Sequence, residues 1–319
     1  MFELDDIIPL GDKPNDLLAV GELLIDMISN EYDDGSFECD GYTKFSGGAP
    51  SNIAMNVNRL GIRSEIVSAV GNDGFGTYLL RRLQQEDMDT KGIQRVDAST
   101  SLVVVTKSRT TPIPIFYRDA DYQMTFDASL EQRIANSKIV HFSCWPISRT
   151  PARHTLERVI EEARSQGLLI GFDPNYHPMI WQRGEDGAQY VKSIISKVDV
   201  IKPSEDDAER LFGKDEPVKQ LEKFLELGAK LVIMTLGKDG AIVSNGKETL
   251  SFDSLATEIV DTTGAGDAFW SGFYAALIKG HSIREALHLG FAVSAYKLRF
   301  TGAVVHLPRL DVIKEQFSL

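Results

Sequence analysis

Cysteines and long apolar segments are what this sequence most plainly lacks. Its 319 residues include 2 cysteines, Cys39 and Cys144, which are too few for a disulfide framework and are typical of a reducing compartment. The N-terminal stretch MFELDDIIPLGDKPNDLLAV is acidic where a secretory leader is basic, and no apolar run approaches the length of a membrane span. We therefore expect a cytoplasmic protein without a membrane partner.

Positive charge is also scarce. Lys and Arg total 34 against 46 Asp and Glu, which gives a formal net charge of -12 at pH 7. No basic run stands out that could follow a phosphate backbone or an anionic bilayer. The composition therefore argues against nucleic acid as a partner.

Strand-length apolar runs alternate with amphipathic helical stretches through most of the chain, as in KIVHFS, the helix at 151–166 and LLIGFD. Repeated βα units predict an α/β fold with a mostly parallel sheet and helices on both faces. A polar stretch at 29–45 and a β-rich stretch at 100–120 interrupt this order, and we expect them to form a small β lid over a pocket. Because no repeat or linker divides the chain, residues 1–319 are expected to form one domain.

The first apolar run, LLAVGELLIDMI at 17–28, is broken by Gly21, Glu22 and Asp26. This is the pattern of a buried strand that delivers an acid at its end. Asp26 is therefore a candidate binding residue, and the alternative is an acid that faces solvent.

The stretch DTTGAGDAFWSGF at 261–273 places a glycine-rich turn directly before apolar residues at helical spacing. Free N–H groups at the start of a helix attract anions, and Gly264 and Gly266 would let a phosphate approach the backbone. The turn lacks the Gly-Lys-Ser/Thr ending of a P-loop, and Phe269 replaces the third glycine of a dinucleotide fingerprint. A nicotinamide-dependent dehydrogenase is accordingly disfavoured.

Asp267 lies in the first turn of this helix. A carboxylate beside an anion site can accept the proton of a hydroxyl that attacks the phosphate, while the N–H groups hold the charge on the transferring group. The alternative is that Asp267 only complements the helix dipole, a contribution of about 0.3–1 kcal/mol. The turn by itself leaves both interpretations open.

Several motifs occur in an order that resembles the ribokinase/PfkB family of carbohydrate kinases. They are GGAPSNIAMNVNRLG at 47–61, AVGNDGFG at 69–76, DPNY at 173–176, KPSEDDAE at 202–209, TLGKDGA at 235–241 and DTTGAGDAFWSGF at 261–273. The resemblance covers nearly the whole chain and implies an ATP-dependent sugar kinase with a three-layer α/β/α fold. Independently of the resemblance, the apolar runs LVVVT and IPIFY suggest an exposed face of the lid, through which two chains could pair as a homodimer.

The resemblance implies roles for particular residues. It implies that Gly264, Ala265 and Gly266 form the anion hole and that Asp267 is the catalytic base. The implied sugar-binding residues are Asp26, Gly47, Gly48 and Asn52, because carboxylate and amide groups suit vicinal hydroxyls. Arg118 would close over the substrate from the lid, and the alternative for it is a solvated surface arginine.

The same resemblance places ATP along Thr235, Gly237 and Gly240, although Gly-Lys-Asp-Gly is often an ordinary β-turn. In KPSEDDAE, Ser204 and Asp207 replace the family's Asn and Glu, and Asp207 would serve Mg²⁺ together with the nucleotide. The alternative for this stretch is a solvated acidic helix start. Asp261 and Thr263 match part of the family's site for a monovalent cation such as K⁺, whereas FTGAVVHLP at 300–308 departs from its other half.

The sequence also bears on which sugar is used. Ala49 stands where ribokinase-type motifs carry lysine, which favours a sugar without phosphate, and several stretches look most like those of fructokinases. A 2-keto-3-deoxygluconate kinase is the alternative, with Arg118 as a bidentate partner for the substrate carboxylate. Phe116 and His177 depart from the residues usual in such kinases. A non-catalytic sugar or nucleotide sensor on the same fold is a further alternative.

Overall fold

A computed structural model describes residues 2–32, 38–107 and 114–319. Its strands are β1 Asn15–Val20, β2 Leu24–Tyr32, β3 Tyr42–Gly47, β4 Ser64–Gly71, β5 Ile93–Val96, β6 Leu102–Lys107, β7 Pro114–Tyr117, β8 Ser137–Ser143, β9 Leu169–Asp173, β10 Val200–Ile201, β11 Leu231–Thr235, β12 Ala241–Ser244 and β13 Thr249–Phe252. Its helices are α1 Ala49–Arg59, α2 Gly74–Gln85, α3 Ala128–Ala135, α4 Cys144–Ile147, α5 Ala152–Ser165, α6 Gly187–Ile194, α7 Glu205–Phe212, α8 Pro217–Glu226, α9 Ala265–Ile278, α10 Ile283–Lys297 and α11 Leu310–Gln316.

The large sheet has nine strands in the order β13-β12-β11-β10-β9-β8-β1-β4-β5. Pairing is parallel from β5 to β11, and β12 and β13 add an antiparallel edge. Helices α1, α9, α10 and α11 pack in one apolar cluster, whereas α3, α5, α6 and α8 contribute to another. The expected mixed α/β fold with a mostly parallel sheet is confirmed.

A second, small sheet has the order β3-β2-β6-β7. It contains the strands expected near 29–45 and 100–120, but β2 begins earlier, at Leu24. The middle of the β-rich stretch, residues 108–113, lies outside the described residues. Among the residues that are described, no helix is long and apolar enough to cross a membrane.

The prediction of one strand over the run 17–28 is wrong. The chain leaves the large sheet after Val20 and enters the small sheet at Leu24, so Asp26 lies in β2 and pairs with Phe45 of β3 and Val103 of β6. Both strands contain buried apolar side chains, so hydrophobicity alone does not show where the chain passes from one sheet to the other.

Helix α9 is apolar on all sides and is almost entirely buried, as expected for a helix enclosed by neighbours. It packs closely against α10 at Gly272, where a Cβ would lie 2.6 Å from Cγ2 of Val293 and 2.9 Å from the Leu289 carbonyl oxygen. This contact fixes the position of the α9 N-terminus, which contains Asp267.

We expect Gly272→Ala to destabilise the protein by about 1–3 kcal/mol, because the added methyl group overpacks the α9–α10 contact. A glycine-to-alanine substitution inside a helix usually has the opposite effect and stabilises the protein by about 1 kcal/mol. Chemical denaturation measures the change in the free energy of unfolding. Gly74→Ala in α2 is the matched control, since nothing lies within 4 Å of the added Cβ. A stabilised Gly272→Ala variant would contradict the packing argument.

Candidate active site

Two cavities lie at the carboxyl edge of the large sheet, on either side of the glycine turn, residues 261–266. The strand-side cavity, of about 380 Å³, is lined by Thr235, Gly237, Gly240 and residues around 253–259 and 291–298. The small-sheet cavity, of about 420 Å³, is lined by Asp26, Asn52, Phe116 and Asp267 among others. Thr262, Ala265 and Gly266 line both cavities. A group held by the glycine turn can therefore be reached from either side.

The glycine turn depends on Gly264, which precedes α9 with φ 75°. A Cβ at this position would lie 2.6 Å from the Ala303 Cα, so both the backbone conformation and the available space require glycine. The first N–H groups of α9 follow directly, with the positive end of the helix dipole. The arrangement matches the anion hole expected at 264–266, and its role in catalysis stays a prediction.

Asp267 projects into the small-sheet cavity and is 7% exposed. Burial raises its pKa to about 7, against the opposing effect of a 2.9 Å hydrogen bond donated by Asn52 Nδ2. Asn52 Oδ1 is buried without a partner in the described part of the chain, so it can accept a hydrogen bond from a ligand hydroxyl. The structure thus brings together two residues that are distant in sequence.

Asp26 lines the same cavity. Burial, followed by repulsion from Asp267, raises its pKa to about 7. Gly47 makes room for it, because a Cβ there would lie 2.1 Å from Asp26 Oδ2, and Gly48 adopts φ 107° where a Cβ would strike the Glu22 carbonyl oxygen. The two glycines therefore shape the cavity, and only Gly48 lines it.

Glu22 is a cavity residue that was not singled out from the sequence. Its carboxylate accepts hydrogen bonds from Ala49 N at 3.1 Å and Ser143 Oγ at 3.1 Å, and burial raises its pKa to about 8. The signal that pointed to Asp26, an acid after a buried strand, applies equally to Glu22. With Asp26 and Asp267 it makes the small-sheet cavity acidic.

Aromatic rings line another part of the small-sheet cavity. Phe116 makes edge contacts with Trp145 and His177 at centroid distances of 5.4 Å and 5.3 Å. Burial, together with the nearby Arg210, lowers the pKa of His177, so its ring is neutral at pH 7. Apolar ring faces beside carboxylates suit a ligand with both C–H faces and hydroxyl groups.

Arg118 was expected to close over the substrate, but it does not line the small-sheet cavity. Its guanidinium is fully buried and donates to Asp121, to Ser148 Oγ, and to the carbonyl oxygens of Trp145 and Ile180. It also stacks on the Trp145 ring, 4.3 Å from the centroid, while Asp121 accepts from the indole N–H at 2.6 Å. Arg118 therefore holds Trp145 in place, and its donors are already used.

A buried ion pair lies beneath the glycine turn. Lys202 Nζ is 2.9 Å from Asp173 Oδ2, which also accepts from Trp270 Nε1 at 2.8 Å. A Cβ on Gly266 would lie 3.1 Å from Lys202 Nζ, so this ammonium reaches the turn itself. The two residues belong to the stretches DPNY and KPSEDDAE, but no sequence signal indicated that they pair.

The strand-side cavity is lined by Thr235, Gly237 and Gly240, the residues expected to lie along ATP. Gly240 has φ 86°, and a Cβ there would lie 2.0 Å from the Phe252 carbonyl oxygen, so the turn into β12 requires glycine. The remaining wall is largely apolar, with Leu255, Ile259, Phe291 and Leu298. An apolar slot that ends at helix N–H groups suits a base at one end and phosphates at the other.

Ser204 and Asp207 line neither cavity. They form a capping box at the start of α7, in which Asp207 Oδ2 accepts from Ser204 N and Oγ. Asp207 Oδ1 accepts from Tyr176 N at 2.6 Å. Within residues 2–32, 38–107 and 114–319, no group of three or more metal-ligating His, Cys, Asp or Glu side chains comes together. The geometry therefore assigns this pair to helix capping and does not fit direct metal ligation.

Asp261 and Thr263 belong to the glycine turn, but neither presents a prepared cation cage. Asp261 Oδ1 accepts from Thr263 N at 2.9 Å and Oδ2 from Gly302 N at 2.7 Å. The Asp261 carbonyl oxygen accepts from Lys297 Nζ at 2.7 Å. All three oxygens of Asp261 are thus already hydrogen-bonded.

Comparison with known proteins identifies the family. Residues 14–309 match the family model described as "pfkB family carbohydrate kinase". This chain belongs to the PfkB family. A curated relative from Thermoanaerobacterium thermosaccharolyticum, named ATP-dependent 6-phosphofructokinase, is 61% identical over 100% of this chain and 99% of its own. The chain is therefore a carbohydrate kinase, as the sequence motifs predicted.

Two solved structures are also similar to this chain. The fructokinase of Halothermothrix orenii is 41% identical with a TM-score of 0.78, over 86% of this chain and 97% of that chain. A double mutant of the Vibrio cholerae O395 fructokinase, with fructose, ADP and potassium bound, is 25% identical with a TM-score of 0.82. That likeness covers 96% of this chain and 99% of the other.

Removal of the Asn52 hydrogen bond should change the pH dependence of this kinase. The bond lowers the pKa of Asp267, so Asn52→Leu should raise it further. If Asp267 acts as a base, activity is present above its pKa and is lost as pH falls through about 7. We expect the acid limb of the kcat–pH profile to move to higher pH in the variant. Asn58→Leu, on the same helix, is the control, and an unmoved limb would contradict the proposed base.

Arg118→Met should act mainly on stability, because it leaves the buried Asp121 without its ionic partner, a loss of about 3–5 kcal/mol. The sugar KM should rise as well, since Trp145 loses its support. Thermal unfolding and steady-state kinetics measure the two effects. Arg63→Met is the control, because that arginine pairs with Asp16 but is 64% exposed. An unchanged Tm with a raised KM would instead indicate that Arg118 contacts the substrate.

Proposed function

We propose that this chain transfers the γ-phosphate of ATP to a hydroxyl group of a fructose-type ketohexose, with Asp267 as the catalytic base. The observation that carries the proposal is the position of Asp267: it lies in the small-sheet cavity, while the glycine turn that precedes it is the wall shared with the strand-side cavity. A hydroxyl beside Asp267 would therefore face a phosphate held at the turn.

In this mechanism the ionised Asp267 accepts the proton of the attacking hydroxyl. The N–H groups at the start of α9 stabilise the charge on the transferring phosphoryl group, and the Lys202 ammonium beneath Gly266 adds to their field. Asn52 orients the Asp267 carboxylate through Nδ2 and offers Oδ1 to the sugar. Asp26, which accepts no side-chain hydrogen bond within the described residues, binds a second hydroxyl.

The strand-side cavity is the proposed ATP site, with adenine against its apolar wall and the phosphates directed to the glycine turn. Mg²⁺ commonly reaches a kinase bound to substrate phosphates and water, with few protein ligands. That mode suits this chain, since Asp207 is used for capping. The metal would neutralise phosphate charge.

The small sheet is the proposed lid over the sugar. Asp26 and Phe116 belong to β2 and β7, and both line the small-sheet cavity. A movement of this sheet would therefore carry a hydroxyl-binding acid and an aromatic ring toward or away from the ligand. Closure would exclude water from the phosphate being transferred.

Free fructose is the first candidate substrate. Glu22, Asp26 and Asp267 line the small-sheet cavity, and no Lys or Arg of the described residues does so. Because His177 is neutral at pH 7, an anionic substrate would meet these three acids without a compensating cation in the cavity lining. The same charge argument disfavours 2-keto-3-deoxygluconate, because that substrate carries a carboxylate. Arg118, the residue expected to bind this carboxylate, already donates its N–H groups to other protein groups.

Fructose 6-phosphate is the second candidate, and one observation favours it. The relative that is 61% identical over the whole chain is named a 6-phosphofructokinase. Both candidates present the same ketohexose skeleton to Asp26, Asn52 and Asp267. They differ in whether a phosphate must be bound in addition.

A direct comparison of kcat/KM for fructose, fructose 6-phosphate and 2-keto-3-deoxygluconate tests the substrate, with ADP release as the signal. Preference for fructose supports the charge argument, and preference for fructose 6-phosphate shows that the phosphate is bound outside the acidic lining. Preference for 2-keto-3-deoxygluconate, or no turnover with any of the three, would contradict the proposal.

Asp267→Asn tests the base. We expect kcat to fall by about 100-fold to 10,000-fold, because the amide cannot accept the proton. Sugar binding measured by calorimetry should persist. Asp26→Asn is the matched control: it alters the neighbouring acid and should raise the sugar KM more than it lowers kcat. Near wild-type turnover in Asp267→Asn would exclude the assigned role.

A further inference from the structure

Lys297, the last residue of α10, has no role in the mechanism above. Its side chain is 0% exposed, and Nζ donates to the Asp261 carbonyl oxygen at 2.7 Å. Transfer of an ammonium group from water into a protein interior costs several kcal/mol unless nearby charges compensate. A fully buried lysine at this place therefore calls for an explanation in terms of its charge.

The charges that compensate Lys297 belong to the active site. Burial lowers the pKa of Lys297, and the negative charges of Asp261 and Asp267 oppose that shift. One precedes the glycine turn and the other is the proposed base. The ammonium therefore lies on the protein side of the turn and acts on it from the interior.

The end of α10 also holds the glycine turn in place mechanically. Ser294 Oγ donates to the Ala265 carbonyl oxygen at 2.9 Å, and Gly302 N donates to Asp261 Oδ2 at 2.7 Å. Together with the bond from Lys297, these contacts tie both ends of the turn to one short segment. A positive charge within that network lowers the cost of collecting negative charge at the turn.

A related fructokinase was solved with a potassium ion bound. In this chain, each oxygen of Asp261 already accepts a hydrogen bond. The donor to its carbonyl oxygen is the ammonium group of Lys297. An ammonium group and a potassium ion are both monovalent cations of similar size that interact with carbonyl oxygens. A lysine whose Nζ reaches such an oxygen can therefore take the place of a diffusible ion.

We propose that the Lys297 ammonium is the resident monovalent cation of this kinase, a positioning residue that braces the glycine turn and makes added K⁺ unnecessary. This inference rests on the proposed role of the glycine turn as the anion site. It does not depend on which sugar is phosphorylated.

The first test uses the unaltered protein. Its kcat and its KM for ATP should be the same in potassium, sodium and tetramethylammonium chloride at equal ionic strength, which holds screening constant. A clear activation by K⁺ over the other two salts would overturn the proposal.

The second test uses variants of Lys297. In tetramethylammonium chloride, Lys297→Ala should lose at least about tenfold in kcat, because the charge beneath the anion site is gone. The shortened side chain leaves room for an ion, so K⁺ or NH₄⁺ should restore much of the activity along a saturable curve. Lys297→Met fills the space without a charge and should not be rescued. Lys138→Met is the control, because that lysine is 15% exposed and pairs with Asp16 away from both cavities.

A readout without turnover separates this inference from the proposed function. K⁺ should raise the Tm and the ADP affinity of Lys297→Ala relative to Na⁺, and should change neither in the unaltered protein. If that pattern holds but no sugar is phosphorylated, the proposed function fails and the inference stands. An active Lys297→Ala without any K⁺ response contradicts the inference. If both variants fail to fold, the salt series on the unaltered protein decides.

Discussion

The close approach of the α9 N-terminus to the backbone at Ala303 is the constraint on which the rest of the site depends. It leaves no room for a side chain at Gly264. It also holds the glycine turn between the two cavities, so that the turn forms the wall that they share. Because the wall consists of backbone N–H groups at a helix start, a phosphate can be held there with the nucleotide on one side and the sugar on the other. Gly272, where α9 and α10 nearly touch, keeps that wall at its position.

Several ionisable side chains lie buried or half-buried around the glycine turn. Glu22, Asp26 and Asp267 line one cavity, whereas Lys202 and Lys297 lie beneath the glycine turn. Burial raises the pKa of each of these acids toward or above 7, which suits a base that must bind and release a proton near neutral pH. In the proposed mechanism, the two lysines supply the positive field that an incoming phosphate needs. Hydrogen bonds and pairing offset part of the cost of burying Glu22, Asp267 and the two lysines, and they also hold these groups in fixed positions.

The sequence predicted the fold class well because the alternation of strands and helices is a local signal repeated along the chain. It predicted the small sheet only in outline, since the passage between sheets at residues 21–23 does not alter the apolar pattern. Arg118 illustrates the opposite error. The resemblance placed Arg118 over the substrate from the lid, whereas its N–H donors are engaged by Asp121, Ser148 and two carbonyl groups. Asp207 was similarly an acid in a kinase-like motif whose oxygens cap a helix.

What the sequence by itself determined is the chemistry that lies within one continuous stretch: a helix start, two glycines that admit an anion, and an acid in the first turn. Those features depend on spacing over a few residues, so they can be recognised without a fold. What only the tertiary structure decided is which distant groups act on them. Asn52 reaches Asp267 from 215 residues away, and Lys297 reaches Asp261 from the end of the next helix. The reason is physical: pKa values and buried charges are set by neighbours in space, and the packing of α1, α9 and α10 chooses those neighbours.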